Sequence, residues 1–177
     1  VFLTHCQFTE KQPDPPIHPV EVGVDRILST LDPAEAVDPV SIQQIALAYE
    51  GLYRVDTTVS PFRVVPELAE TLPEVSADGR SFSVSIKKGV LFADDPCFAS
   101  TLGKGRELIA ADFVYSVRRL SDLKNPSPVW RRVQKWIKDV RAVDRYRLVV
   151  ELTEPNPKIW YWLTSHYFFI IPSEAIQ

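Results

Sequence analysis

At 177 residues with 45% hydrophobic content, the chain is long enough to bury a sizeable core as one domain, or as one domain and part of another. A formal net charge of −3 supplies no strong positive field, which argues against recruitment of nucleic acid or anionic lipid by charge alone. The densest apolar stretch, Ile159 to Pro172, is broken by Thr164, Ser165 and His166, so no run of about 18 apolar residues exists to form a membrane-crossing helix.

Residues 1–20 read as a lead-in, with four prolines between Gln12 and Pro19 making a spacer. Val22 to Leu31 reads as a strand region ending in the Asp32-Pro33 turn. Over Pro39 to Glu50, Val40, Ile45, Ala48 and Tyr49 recur at helical spacing; Asp38 suits the cap, Pro39 the first turn, and Gly51 the stop. Leu52 to Val55 is a short strand and Thr57 to Pro61 a loop of turn formers. Leu68 to Val75 is the first arm of a hairpin, with Asp78-Gly79 supplying positive φ angles at a tight turn. In the second arm Phe82, Val84 and Ile86 alternate with polar residues, so one face is buried.

Asp94 to Arg106 is irregular, containing Pro96, Gly103 and Gly105. Ala110 to Leu123 has Phe113, Val117 and Leu120 on one helical face and Arg118, Arg119 and Asp122 on the other. The pairs Arg118-Arg119 and Arg131-Arg132 read as solvated helix faces, not as a phosphate grip. A second short helix is predicted within Asn125 to Lys135, after Pro126. Ile137 to Val143 and Arg147 to Leu152 make a second hairpin across Asp144-Arg145, with Leu148, Val150 and Leu152 facing the core. Pro155 and Pro157 break the chain, Ile159 to Thr164 forms an aromatic helical turn, and Tyr167 to Ile171 reads as a last strand. Hairpins separated by helices without regular βαβ alternation define an α+β class: a mixed β-sheet and hairpins with packed helices.

Several short motifs stand in a fixed order: Leu31-Asp32-Pro33, Tyr49-Glu50-Gly51-Leu52, Pro66-Glu67-Leu68-Ala69-Glu70, the Asp78-Gly79 hairpin with Lys88-Gly89-Val90, Ala111 to Arg119, and Ile170 to Ala175. In that order the chain resembles the family 5 extracellular solute-binding proteins of oligopeptide and dipeptide ABC importers. The resemblance implies the N-terminal part of a two-lobed periplasmic-binding-protein-like fold, with the remaining parts of such a protein lying beyond Gln177. By resemblance, 21–52 opens the first ligand-binding lobe, 53–168 is an inserted small α+β domain, and 169–177 begins the return to the first lobe. Many relatives place a threonine where this chain has Ile109. Isoleucine accepts no hydrogen bond, so the helix start is expected to be weaker by about 1 kcal/mol unless another group substitutes.

The resemblance further implies a substrate-binding component that captures peptides outside the cytoplasmic membrane and delivers them to permease subunits. In peptide-binding relatives the connection between the Asp32-Pro33 and Glu50-Gly51 markers lines the cleft and pairs with the peptide main chain. This puts Asp38, Pro39, Val40 and Ser41 at the contacting positions. Main-chain pairing suits a receptor that must accept many sequences. Ordinary helix capping by Asp38 is compatible with the same role. The alternative is a receptor-like domain that serves sensing, interaction or chaperoning instead of transport.

No reactive constellation emerges. Asp94 and Asp95 are adjacent, so in an extended chain they point to opposite sides and punctuate a turn. His5, His18 and His166 lack ligand spacing to Cys, Asp or another His, and no cofactor or metal is implied. Gly103-Lys104-Gly105 lacks the context of a phosphate loop. Trp160 and Trp162 are read as packing residues in preference to stacking platforms.

The chain contains no Met, which fits a processed or excised product. Val1 to Cys6 is similar to the end of a secretory signal with a lipoprotein box, and Cys6 is the candidate for acylation and membrane anchoring. His5 stands where such signals carry a small residue, and the other reading is a free cysteine on an unstructured lead-in. Cys6 and Cys97 are expected to be unbonded, because a flexible tail rarely holds the narrow geometry of a disulfide.

Overall fold

The computed structural model describes residues 28–122 and 127–176. Cys6, the lead-in, residues 22–27 of the expected first strand, and Asn125-Pro126 lie outside the described residues. Residues 28–31 have no regular structure.

The alternation of Phe82 and Val84 with serines makes Ser81–Ser85 (β4) a strand with one buried face. Leu148, Val150 and Leu152 do the same for Arg147–Leu152 (β6), and the two strands pair antiparallel with Phe82 opposite Val150 and Val84 opposite Leu148. Glu74–Val75 (β3) and Ile137–Ala142 (β5) flank them, giving a four-stranded antiparallel sheet of order β3-β4-β6-β5. The helix Ala110–Arg119 (α2) packs on β5 and β6 through buried Phe113 and Val117, and Leu120 follows into the same core. Trp130–Trp136 (α3) leads directly into β5, and Ile159–Trp162 (α4) brings Trp160 against Phe82 of β4. Trp160 meets Phe82 edge-on at 4.4 Å, and Trp136 and Trp162 meet edge-on at 4.7 Å, so these rings pack as expected.

Ahead of this sheet stand the helix Pro39–Ala48 (α1) and a two-stranded hairpin of Tyr53–Asp56 (β1) and Arg63–Pro66 (β2). β2 has no alternating apolar face and ends on a proline, so its pairing with β1 has no signature in the sequence.

Three expectations are corrected. Only Glu74–Val75 of the proposed 68–75 arm is a strand, because Pro73 has no N–H to donate and the chain leaves the sheet before it; Ala69 instead bridges Ile86. At the hairpin tip Gly79 alone has positive φ (67°), and the Gly79 N–H donates to the Ser76 carbonyl at 2.9 Å. The Asp78 carboxylate accepts from the Ser76 hydroxyl and the Arg80 N–H, so the turn is wider than a two-residue one. Finally, Tyr167 to Ile171 is no strand: His166–Phe168 is a 3-10 turn, followed by irregular chain.

At the start of α2 another group does substitute for the missing hydroxyl. The Asp112 carboxylate reaches back to accept the Ile109 N–H at 2.9 Å. Asp112 is held in turn by Arg106, which donates to it at 2.7 and 2.9 Å and to Glu174 at 2.6 and 2.8 Å.

Candidate ligand-binding segment

The segment from Leu28 to Gly51 is built around the two ends of α1. At the N-terminal end the Asp38 carboxylate accepts the Ser41 N–H at 2.9 Å, with the Asp38 backbone extended (φ −93°, ψ 149°) and Pro39 in the first turn. The Ser29 hydroxyl donates to the other Asp38 oxygen, and the Ser41 hydroxyl oxygen accepts the N–H groups of Ser29 and Thr30 at 3.1 and 3.2 Å. The hydroxyls of Ser29 and Ser41 hold the Asp38 carboxyl far below the usual carboxylate range.

Thus Asp38 and Ser41 are brought together, and their side chains are engaged within the chain: Asp38 is half-buried and Ser41 fully buried. Pro39 is exposed and Val40 half-buried, and neither touches the groove described below. At positions 38–41 the surface left open is therefore chiefly backbone and apolar.

One residue was not singled out in the sequence. Val37 is 63% exposed, and among the described residues its N–H and C=O have no hydrogen-bond partner. Both its neighbours are tied down. The Ala36 carbonyl accepts from His166 Nε2 at 3.1 Å and the Tyr167 hydroxyl at 3.0 Å, while Asp38 is fixed as above. The position of Val37 between Asp32-Pro33 and the Asp38 cap was readable, but its open backbone was not, because that depends on contacts 130 residues away.

Two further ties hold the segment. Arg119 donates two hydrogen bonds to the Asp32 carboxylate, at 2.5 and 3.0 Å, so one member of a pair expected to be solvated is spent on a tertiary ion pair. Burial pushes the Asp32 carboxyl up, but its bonds to Arg119 and the Ala34 N–H outweigh this and lower it overall. Past α1, the Ile170 N–H donates to the Glu50 carbonyl at 2.9 Å.

At the C-terminal end of α1 lies an open groove of about 860 Å³, lined among others by Leu47, Tyr49, Glu67, Phe92, Phe98 and Phe169. It starts at Ala46, roughly 10 Å along the helix from Pro39, so it is separate from the Asp38–Ser41 end. Burial raises the Glu67 carboxyl, and burial followed by the neighbouring Asp95 raises the Cys97 thiol, which disfavours the thiolate. Cys97 and Asp95 both line the groove, and no group of three or more His, Cys, Asp or Glu that could hold a metal occurs among the described residues. No described helix is long and apolar enough to cross a membrane.

Among the described residues, the Val37 segment presents open main chain on an α+β scaffold. The chain belongs to the bacterial extracellular solute-binding proteins of family 5: residues 63–176 match the family description "Bacterial extracellular solute-binding proteins, family 5 Middle". It is similar to the peptide transport periplasmic protein SapA of Salmonella typhimurium, 26% identical over 161 residues covering 83% of this chain and 28% of SapA. It is also similar to the periplasmic murein peptide-binding protein MppA of Escherichia coli, at 30% identity over 164 residues covering 83% of this chain and 27% of MppA. Among solved structures, the pheromone receptor PrgZ aligns with a TM-score of 0.70 and 27% identity, covering 84% of this chain and 30% of that one. The chain spans about 28% of the length of its curated relatives. The mixed helix-and-sheet architecture matches the fold of these binding proteins.

Proposed function

We propose that the chain supplies one wall of the peptide-binding cleft in the substrate-binding component of an ABC importer, working outside the cytoplasmic membrane and passing peptides to permease subunits. In this reading 21–52 opens the first lobe, 53–168 is the inserted domain and 169–177 begins the return. The ligand meets backbone near Asp38, Pro39, Val40 and Ser41, with Val37 the foremost contact. One observation carries the reading: among the described residues, Val37 presents both an unpaired N–H and an unpaired C=O from a loop fixed on either side. An extended peptide can pair with such a residue as one strand pairs with another, whatever its side chains. The names of SapA and MppA, a peptide transport protein and a murein peptide-binding protein, support peptides as the solute class.

The chemistry asked of the site is binding, not turnover. Calorimetry on the polypeptide as its gene encodes it, with alanine peptides of three to five residues, tests this. Unmodified peptides are expected to bind, and N-methylation of the ligand amide that pairs with Val37 to weaken them at least tenfold. Side-chain changes along the peptide should cost less. The 177-residue chain alone should give no submicromolar heat, since one wall leaves most of a ligand in water. Indifference to N-methylation at every peptide position refutes main-chain pairing.

A further inference from the structure

We propose that His166 and Tyr167 are positioning residues for the ligand: by donating together to the Ala36 carbonyl they fix the backbone that presents Val37. This rests on the reading of the Val37 segment given above.

The geometry is specific to that task. Residues 32–38 belong to no helix or strand; the Glu35 and Ala36 N–H groups close a turn on the Asp32 carbonyl, but no such backbone bond reaches Val37 among the described residues. A carbonyl oxygen has two acceptor sites, and at Ala36 both are filled by side chains from adjacent residues, at 3.1 and 3.0 Å. Ala36 itself is fully buried, while the next residue emerges into solvent. Because a carbonyl only accepts, Nε2 of His166 carries the proton in this contact. The two rings lie against each other at 3.9 Å between centroids, so each limits the rotation of the other. Four residues past His166, the Ile170 N–H takes the Glu50 carbonyl. The run 166–170 therefore grips the chain on both sides of α1, just before the presenting residue and just after the helix.

A loop held this way does not have to be ordered when ligand arrives, and removing that ordering cost is how preorganisation raises affinity. A merely structural pair would stabilise the fold without changing the affinity of molecules that remain folded. The two roles thus separate in measurement.

The test uses the polypeptide as its gene encodes it, with tri-, tetra- and penta-alanine titrated separately by calorimetry. His166→Leu combined with Tyr167→Phe is expected to weaken binding about tenfold. His166→Gln, which keeps an N–H donor, should stay within about twofold of the parent. NMR relaxation without ligand adds an independent readout: the order parameter of the Val37 amide should fall from about 0.85 to about 0.6 in the double variant. If the double variant does not fold, Tyr167→Phe alone keeps the ring and should weaken binding about threefold. Parent-like affinity and an unchanged order parameter in the loss-of-donor variants overturn the proposal. Val37→Pro removes the presenting N–H and tells the two failures apart. If it weakens binding while the donor variants do not, positioning alone is wrong. If it has no effect, or the parent binds none of the peptides, the cleft reading falls and positioning falls with it.

Discussion

Removing the Arg106 guanidinium should cost more stability than any other single truncation outside the apolar core. Arg106 makes four charge-assisted hydrogen bonds to two carboxylates, and Asp112, one of its partners, is only 4% exposed. In Arg106→Leu the Asp112 carboxylate keeps the Ile109 N–H but loses its countercharge in a buried place. Breaking one side of a buried pair costs 3–5 kcal/mol; partial exposure of Arg106 puts this case near the lower bound, about 3 kcal/mol. The Glu174 arm is wetter and adds less than about 1 kcal/mol. The expected loss of about 3 kcal/mol corresponds to a fall in Tm of about 9 °C for a body of this size.

Urea titration followed by tryptophan fluorescence measures it, and Asp112→Asn alone and combined with Arg106→Leu completes the cycle. The double variant should be at least about 1.5 kcal/mol less destabilised than the sum of the singles, since neither charge is then left alone. A loss under about 1 kcal/mol in Arg106→Leu, or strict additivity, refutes the reasoning.

Gly105→Ala should cost about 2–4 kcal/mol in the same titration: a Cβ there would sit 1.8 Å from the Phe92 carbonyl oxygen, and the main chain would have to part where Phe92 N–H donates to Arg106 O at 3.0 Å. Acid should weaken the fold through Glu174 and Glu107, whose carboxyls are each lowered to about 2, the first chiefly by Arg106 and the second chiefly by Arg145. Lowered carboxyls contribute stability that is complete above about pH 5 and lost as pH falls toward 2, so the urea midpoint should drop across that window, and less steeply in Glu174→Gln. Leu47→Lys should leave the stability of this chain within about 0.5 kcal/mol, because Leu47 is 80% exposed. In a polypeptide that covers α1 with further chain, the same change should destabilise measurably.

The parts of the fold legible in the sequence are those whose signal is local. The serine–apolar alternation of β4, the Leu148-Val150-Leu152 face of β6 and the apolar stripe of α2 each specify an element and its buried side within a few residues. Asp38-Pro39 marked the start of α1 for the same reason. What escaped was long-range. β2 exists because β1 offers it a partner, and Tyr167 to Ile171, β-rich in composition, gives its N–H groups to a turn and to the Glu50 carbonyl instead of to a ladder. Arg119 looked like one more solvated arginine until Asp32, 87 positions earlier, was placed against it. The candidate segment was found by its position between two markers, whereas Val37 stands out only when its neighbours' bonds are known.

These contacts also explain how α1 persists at all. Its ten residues fall short of the roughly 12–15 needed for a marginal isolated helix, and only Ser41 and Ile45 are buried. Neither intrinsic propensity nor packing area accounts for it, so the ties at its two ends must. Ser29 and Thr30 bond Asp38 and Ser41 at its start, and the body built on the four-stranded sheet adds further ties: Arg119 to Asp32, His166 and Tyr167 to Ala36, Ile170 to Glu50. The 32–38 loop and α1 are thus anchored in large part by that body, while Val37 and Leu47 stay exposed.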